Sequence, residues 1–199
     1  MRRVMLLLGS FALLWGLLAL AICAGASVPA AGTPSPGPDQ VPGHRAPAAG
    51  GGLDRVQGPP TIDRALIDRL LCQAHSPACG TGEALSADMV QAGINPAFAL
   101  AVFWHESQFG RLGVARLTHS LGNIRCTPGW QRCLGGYRWY PDWPASYADF
   151  AALLTREYFP RGLLTVEQIL PVYAPAADGN DPAAYIHDVL SHMRQWRLV

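Results

Sequence analysis

The stretch FALAVFWHESQFGRLG, residues 98–113, closes an almost wholly apolar run with a single carboxylate, Glu106. Asn95 followed by Pro96 has the form of a helix start, an N-cap side chain that can accept an amide hydrogen and a ring already fixed at helical φ. A helix from Pro96 to Gln108, ending near Gly110, sets Ala99, Val102, Phe103 and Glu106 at i, i+3, i+4 and i+7, on one stripe. Glu106 then stands on an apolar face in the last turn, where the helix dipole disfavours an anion. Desolvation and dipole both favour the protonated acid. That is the form a general acid for glycosidic cleavage needs near neutral pH. The competing assignment is an ion pair with Arg111 or Arg116 beyond the helix end, and position alone leaves the two level.

The elements around this helix follow from spacing and caps. Thr61 is the expected cap of a first helix carrying Ile62, Leu66, Ile67, Leu70 and Leu71, and a second should run from Ser86 to Gln91. Between Leu121 and Tyr140 the pattern predicts a small β-hairpin about a tight Pro128-Gly129 turn. Helical spacing returns at Tyr147, Phe150, Ala151, Leu154 and Tyr158. Thr165-Val-Glu-Gln168 has the form of a capping box. Asp181-Pro182 should start a last helix with Ile186, Val189, Leu190 and Met193 on one side and Trp196 near its end. The expected class is mainly α, five or six helices around one short hairpin.

The N-terminus has two arginines, an uncharged run from Val4 to Cys23 and then Ala24-Gly25-Ala26, the order of an export signal. Residues 1–26 are read as a cleaved signal peptide or an uncleaved signal anchor, since the run is nearly long enough to span a bilayer. Cys23 preceded by Ile22 does not fit a lipoprotein signal. Residues 27–60 are dense in Pro, Gly and Ala and read as a disordered tether, leaving 61–199 as the folded domain. All 15 basic residues of the chain are arginine, and within 61–199 there are 11 Arg against 12 Asp plus Glu. With no basic field, a nucleic-acid partner is not expected, and membrane contact is expected only through the N-terminal segment. Cys72, Cys79, Cys126 and Cys133 form two equal C-x6-C spacings, which favour the local pairs Cys72–Cys79 and Cys126–Cys133 among the three possible. HESQFG lacks the second histidine of a zinc-protease helix, and neither a Gly-rich phosphate loop nor a G-x-S-x-G elbow occurs.

HESQFG resembles the Glu-Ser-x-aromatic-Gly motif of the glucosaminidases of glycoside hydrolase family 73, the mannosyl-glycoprotein endo-β-N-acetylglucosaminidase-like domains of the lysozyme-like superfamily. SLGNIRC is similar to that family's Asn-x-Phe-Gly-Ile-Lys segment, and YRWYPDWPASYADFAALL to its Phe-Arg-x-Tyr followed by a Ser and an Asp on the next helix. ILPVYAPAADGNDPAAYIHDVL is similar to its closing segment, so the four ordered motifs cover roughly residues 83–197. The resemblance implies a lysozyme-like helical domain that cleaves β-1,4 linkages after N-acetylglucosamine in peptidoglycan or a related glycan, as a monomer and without cofactor or metal. It implies Glu106 as the acid, with Tyr140, Tyr173, Asn123 and Arg125 binding substrate. Trp130, Trp139 and Trp143 are candidates for stacking on sugar rings or for packing. The hairpin is shorter than the family's usual lobe. Of the carboxylates near it, Asp142 precedes the next helix, and Asp149 has the spacing of a structural cap or hydrogen bond. That leaves the second catalytic group unassigned; the substrate's acetamido group is an alternative nucleophile. A lytic transglycosylase of the same superfamily and a wall-binding module without turnover are the competing functions.

Overall fold

The computed structural model of the chain describes Gly52 and residues 54–197. The expected signal segment and most of the expected tether, residues 27–51 and 53, lie outside these described residues. The boundary drawn at Thr61 moves toward the N-terminus, because residues 54–58 already belong to the folded unit. The Val56 amide donates to the Leu164 carbonyl at 2.9 Å, its carbonyl accepts from Asn95 N at 2.8 Å, and its side chain is fully buried. One valine in a Pro/Gly-rich stretch is too little apolar sequence to mark this strap. Its energy comes from the ladder groups and core it meets.

The domain is mainly helical with one two-stranded sheet. Helix α1 spans Arg64–Gln73 and is capped by Asp63, whose Oδ1 accepts the Leu66 amide at 2.7 Å. Thr61, the expected cap, instead bonds Asn95 Oδ1 through its amide and hydroxyl at 3.3 and 3.1 Å. An aspartate at the positive end of the helix also gains from the dipole, which a threonine does not. Helix α2, Gly82–Gln91, starts four residues before the expected Ser86. Asp68 of α1 accepts the amides of Gly80, just before the helix, and Gly82, its first residue, at 2.8 and 3.2 Å, so a neighbouring helix supplies an acceptor at the start of α2.

Helix α3, Pro96–Ser107, begins as its cap predicts, with Asn95 Oδ1 accepting the Ala97 amide at 3.1 Å. Every residue from Pro96 to Phe103 is buried. The single stripe expected from spacing is therefore replaced by an apolar surface all round, the pattern of a central helix enclosed by others. Helix α2 and a last helix α7, Pro182–Arg197, pack on it; α1 and α5, Trp143–Leu153, pack on α2, and α6, Val166–Tyr173, packs on α7. Phe103 stands at the centre, its ring 4.9 Å from Phe150 and 5.9 Å from Tyr147.

After a short helix α4, Ala115–Thr118, strands β1, Cys133–Leu134, and β2, Tyr137–Arg138, pair antiparallel with Cys133 opposite Arg138 and Leu134 opposite Tyr137. The hairpin turn is Gly135-Gly136, both left-handed at φ 59° and 86°, as a two-residue primed turn requires. Pro128-Gly129, expected to form that turn, closes a separate one in which the Trp130 amide donates to the Thr127 carbonyl at 3.1 Å. The sequence holds two turn signals. The first is consumed inside the loop closed by Cys126 and Cys133, so the strands form about the second. Both local cysteine pairs are joined, with Cα–Cα separations of 4.6 Å for Cys72–Cys79 and 6.0 Å for Cys126–Cys133.

Helix α5, Trp143–Leu153, is capped by Asp142 Oδ1 on the Ala145 amide at 2.9 Å and continues through a π turn, Leu154–Tyr158, and a 3-10 turn, Phe159–Arg161. Helix α6 spans Val166–Tyr173; as the capping-box pattern predicts, Gln168 reaches back to accept the Thr165 amide at 3.1 Å. A 3-10 turn, Ala176–Asp178, leads to helix α7, Pro182–Arg197, whose first amides donate to Asp181 Oδ1. Its buried face is Tyr185, Val189, Met193 and Trp196, one position off the Ile186 and Leu190 that spacing favoured.

Candidate active site

Glu106 is placed by the end of α3, and the residues after it explain why the helix stops there. Gln108, Phe109 and Gly110 are all left-handed, at φ 48°, 57° and 79°. Ser107, fully buried, donates to the carbonyls of Leu121 at 2.8 Å and Phe103 at 3.2 Å and accepts the Gly110 amide at 2.9 Å. A β-carbon on Gly110 would lie 2.8 Å from both Leu121 and Trp143, so this close approach requires glycine. Ser107 and Gly110 thus clamp the helix end to Leu121, at the start of the turn that carries Asn123, and the serine has a structural role. The turn brings Asn123 to the acid.

The Tyr185 hydroxyl donates to Glu106 Oε1 at 2.8 Å, and Asn123 Nδ2 donates to Glu106 Oε2 at 3.3 Å and to the Glu106 backbone carbonyl at 2.9 Å. Glu106 has no ion pair among the described residues, so the alternative pairing with Arg111 or Arg116 is not formed. Burial pushes the Glu106 carboxyl above the usual carboxylate range. Hydrogen bonds from Tyr185 and Asn123 and the fields of His105 and Arg125 oppose the rise without cancelling it. Tyr185 is held well above the ordinary phenol value by burial and by Glu106, so it remains a donor at any working pH. Its ring stacks on His105 at 3.7 Å, and His105 Nδ1 meets Asp188 of α7 at 2.7 Å.

Glu106 opens into a cleft of about 320 Å³ between the hairpin and the α6–α7 connection. Of the residues expected at the site, Asn123, Arg125 and Tyr173 line this cleft with the acid. The Tyr173 hydroxyl is committed to the Gly122 carbonyl, which leaves its ring for the wall. Arg125 lies over the Tyr137 ring at 5.0 Å and has no carboxylate partner among the described residues. Asn123 Oδ1 is buried with no donor. Tyr140 is not brought to the cleft. It is buried in the hairpin lobe, where its hydroxyl donates to Asp149 at 2.6 Å. Asp149 also pairs with Arg138 at 2.8 Å. The two carboxylates considered as partners of Glu106 are therefore occupied structurally, Asp142 as a cap and Asp149 in this pair.

Sequence reasoning missed Tyr185, the donor to Glu106, and it missed Tyr137, Arg138, Asp178 and Asn180, which line the cleft. Tyr185 stands four residues before Val189 on the buried face of α7, a spacing that marks it as inward-facing but says nothing of a carboxylate opposite. Asp178 and Asn180 come from an irregular connection with no periodicity to read. Asp178 is the second carboxylate on the cleft wall. Among the described residues no group of three His, Cys, Asp or Glu side chains is arranged to hold a metal ion, and no helix is long and apolar enough to cross a membrane. A scan against protein-family models returns no match to this chain, and a sequence comparison with curated proteins returns none either.

Proposed function

We propose that the chain is an exported glycoside hydrolase with a lysozyme-like domain that cleaves β-1,4 bonds of peptidoglycan, Glu106 being the general acid. The observation that carries this reading is the setting of Glu106: a partly buried carboxyl with a raised pKa, without an ion pair among the described residues, held by two neutral donors on the wall of an open cleft. Two of its roughly four lone-pair sites are used by Tyr185 and Asn123, so a proton on a remaining site can be delivered to a leaving glycosidic oxygen in the cleft. Asn123 Oδ1, buried and without a donor, suits an acetamido N–H or a sugar hydroxyl. Arg125, lacking a carboxylate of its own, suits a glycan that carries carboxylates, as muramic acid and its peptides do, over a neutral one. Asp178 on the wall, or the acetamido group of the substrate, is available to complete the displacement.

The test is digestion of purified peptidoglycan by the full chain, with the new ends identified by mass spectrometry. Reducing N-acetylglucosamine ends support the glucosaminidase reading, anhydro-muramic ends would make it a lytic transglycosylase, and binding without new ends a wall-binding module. Glu106→Gln should lower turnover by about 10²–10⁴-fold while sacculus binding persists.

A further inference from the structure

Trp130 and Trp139 differ from the other described tryptophans. Trp196 is part of the hydrophobic core and Trp104 and Trp143 pack against it, whereas Trp130 and Trp139 do neither. They stand half-buried in the hairpin lobe and line a groove of about 720 Å³, larger than the Glu106 cleft, with Gln131, Arg132 and Pro141 around them. Since core burial does not hold these rings, local contacts must. The Arg132 guanidinium lies over Trp139 at 3.6 Å and that of Arg138 over Trp130 at 4.3 Å, while the Trp130 ring meets Tyr140 edge-on at 5.9 Å. The Cys126–Cys133 bridge closes the loop that carries Trp130, and Arg138 is fixed in turn by Asp149. Cation–π contacts and the bridge thus set the rings before any ligand arrives, which lowers the ordering cost of binding.

Two indole rings lining one groove, each with a guanidinium over one face and with the Gln131 amide beside them, match a pyranose, whose C–H face stacks on the remaining ring face while its hydroxyl and acetamido groups take the polar bonds. Stacked nucleobases would use the same rings. The balanced charge of the domain, 11 Arg against 12 acidic residues over 61–199, lacks the basic field that a phosphate backbone requires. Arg138 connects the two places: it lines the Glu106 cleft while its guanidinium covers Trp130, a wall of the groove. We propose that the Trp130–Trp139 groove is a second glycan-binding surface, holding sugar units of a strand that extends beyond those in the Glu106 cleft. The inference rests on the reading of that cleft as a glycan site.

The experiment is oxidative footprinting of the full chain carrying Glu106→Gln, with peptide-free glycan strands from purified sacculi as the probe and tryptophan oxidation read by mass spectrometry. Protection of Trp130 and Trp139 is expected; equal oxidation with and without strands overturns the proposal. In the same background, Trp130→Ala and Trp139→Ala should each weaken strand binding by about fivefold, the size of one lost ring contact, and Trp130→Phe should restore most of it. Unchanged binding in both alanine variants would also overturn it. If Glu106→Gln retains cleavage while Trp130 and Trp139 are protected, the acid assignment falls and the groove stands. If the strands bind without protecting either ring, the groove falls and the cleft stands.

Discussion

Tyr185→Phe isolates the hydroxyl that holds the acid. The ring stays, with its buried position and its stack on His105 at 3.7 Å, and only the bond to Glu106 Oε1 at 2.8 Å is removed. A hydrogen bond to a charged acceptor contributes about 1.5–3 kcal/mol and one to a neutral acceptor about 0.5–1.5 kcal/mol. The variant should therefore cost roughly 1 kcal/mol more stability where Glu106 is ionised than where it is protonated. The sign follows from the same difference. The bond favours the anion, so its loss raises the Glu106 pKa further and widens the range in which the acid is protonated. On the proposed general-acid role, activity falls as pH rises through that pKa, so the alkaline limb of the pH–rate profile should move to higher pH in Tyr185→Phe. Two measurements check this: urea denaturation at acid and alkaline pH, and kcat/KM on peptidoglycan strands across the same range. An alkaline limb that moves down or stays in place, or a destabilisation of the same size at both pH values, would refute the assignment of Tyr185 as the donor that tunes Glu106.

Arg125→Gln should raise KM for strands bearing muramic carboxylates by roughly tenfold or more, the loss of one charge-assisted contact, and raise it less for neutral chitooligosaccharides; steady-state kinetics on the two substrates decides. Asp149→Ala removes the partner of both Arg138 and the Tyr140 hydroxyl, so denaturant melting should show a loss of about 3–5 kcal/mol, the cost of a mostly buried cation left unpaired. Paired Cys72→Ser and Cys79→Ser should lower stability by roughly 2.5 kcal/mol, the loop-closure value for a bridge of sequence separation 7. Peptide mapping without reductant checks both bridges directly, and four free thiols in protein purified under oxidising conditions would exclude them.

Local chemistry was legible wherever one segment contains its own explanation. Asn95-Pro96 starts α3, Asp181 caps α7 and Gln168 closes its box on Thr165, because cap and amide lie within three residues of each other. The two cysteine pairs were legible for the same reason. Elements whose partners are remote were misplaced. Helix α2 begins early because Asp68, on another helix, accepts its first amide and that of Gly80 just before it, and the strap at Val56 is ordered by Leu164 and Asn95. The hairpin turn fell at Gly135-Gly136 because a competing turn signal lay inside a covalent loop.

The candidate site divides along the same line. Sequence alone determined that a carboxylate ends an apolar helix at Glu106, and that a short hairpin follows it. Only the tertiary structure decided that the carboxylate meets Tyr185 and Asn123 instead of an arginine, that Tyr140 belongs to Asp149, and that Asp178 shares the cleft. The physical reason is that caps and turns depend on chain neighbours, whereas the ionisation of Glu106 depends on burial and on donors 17 and 79 residues away, which only the packed fold brings within reach.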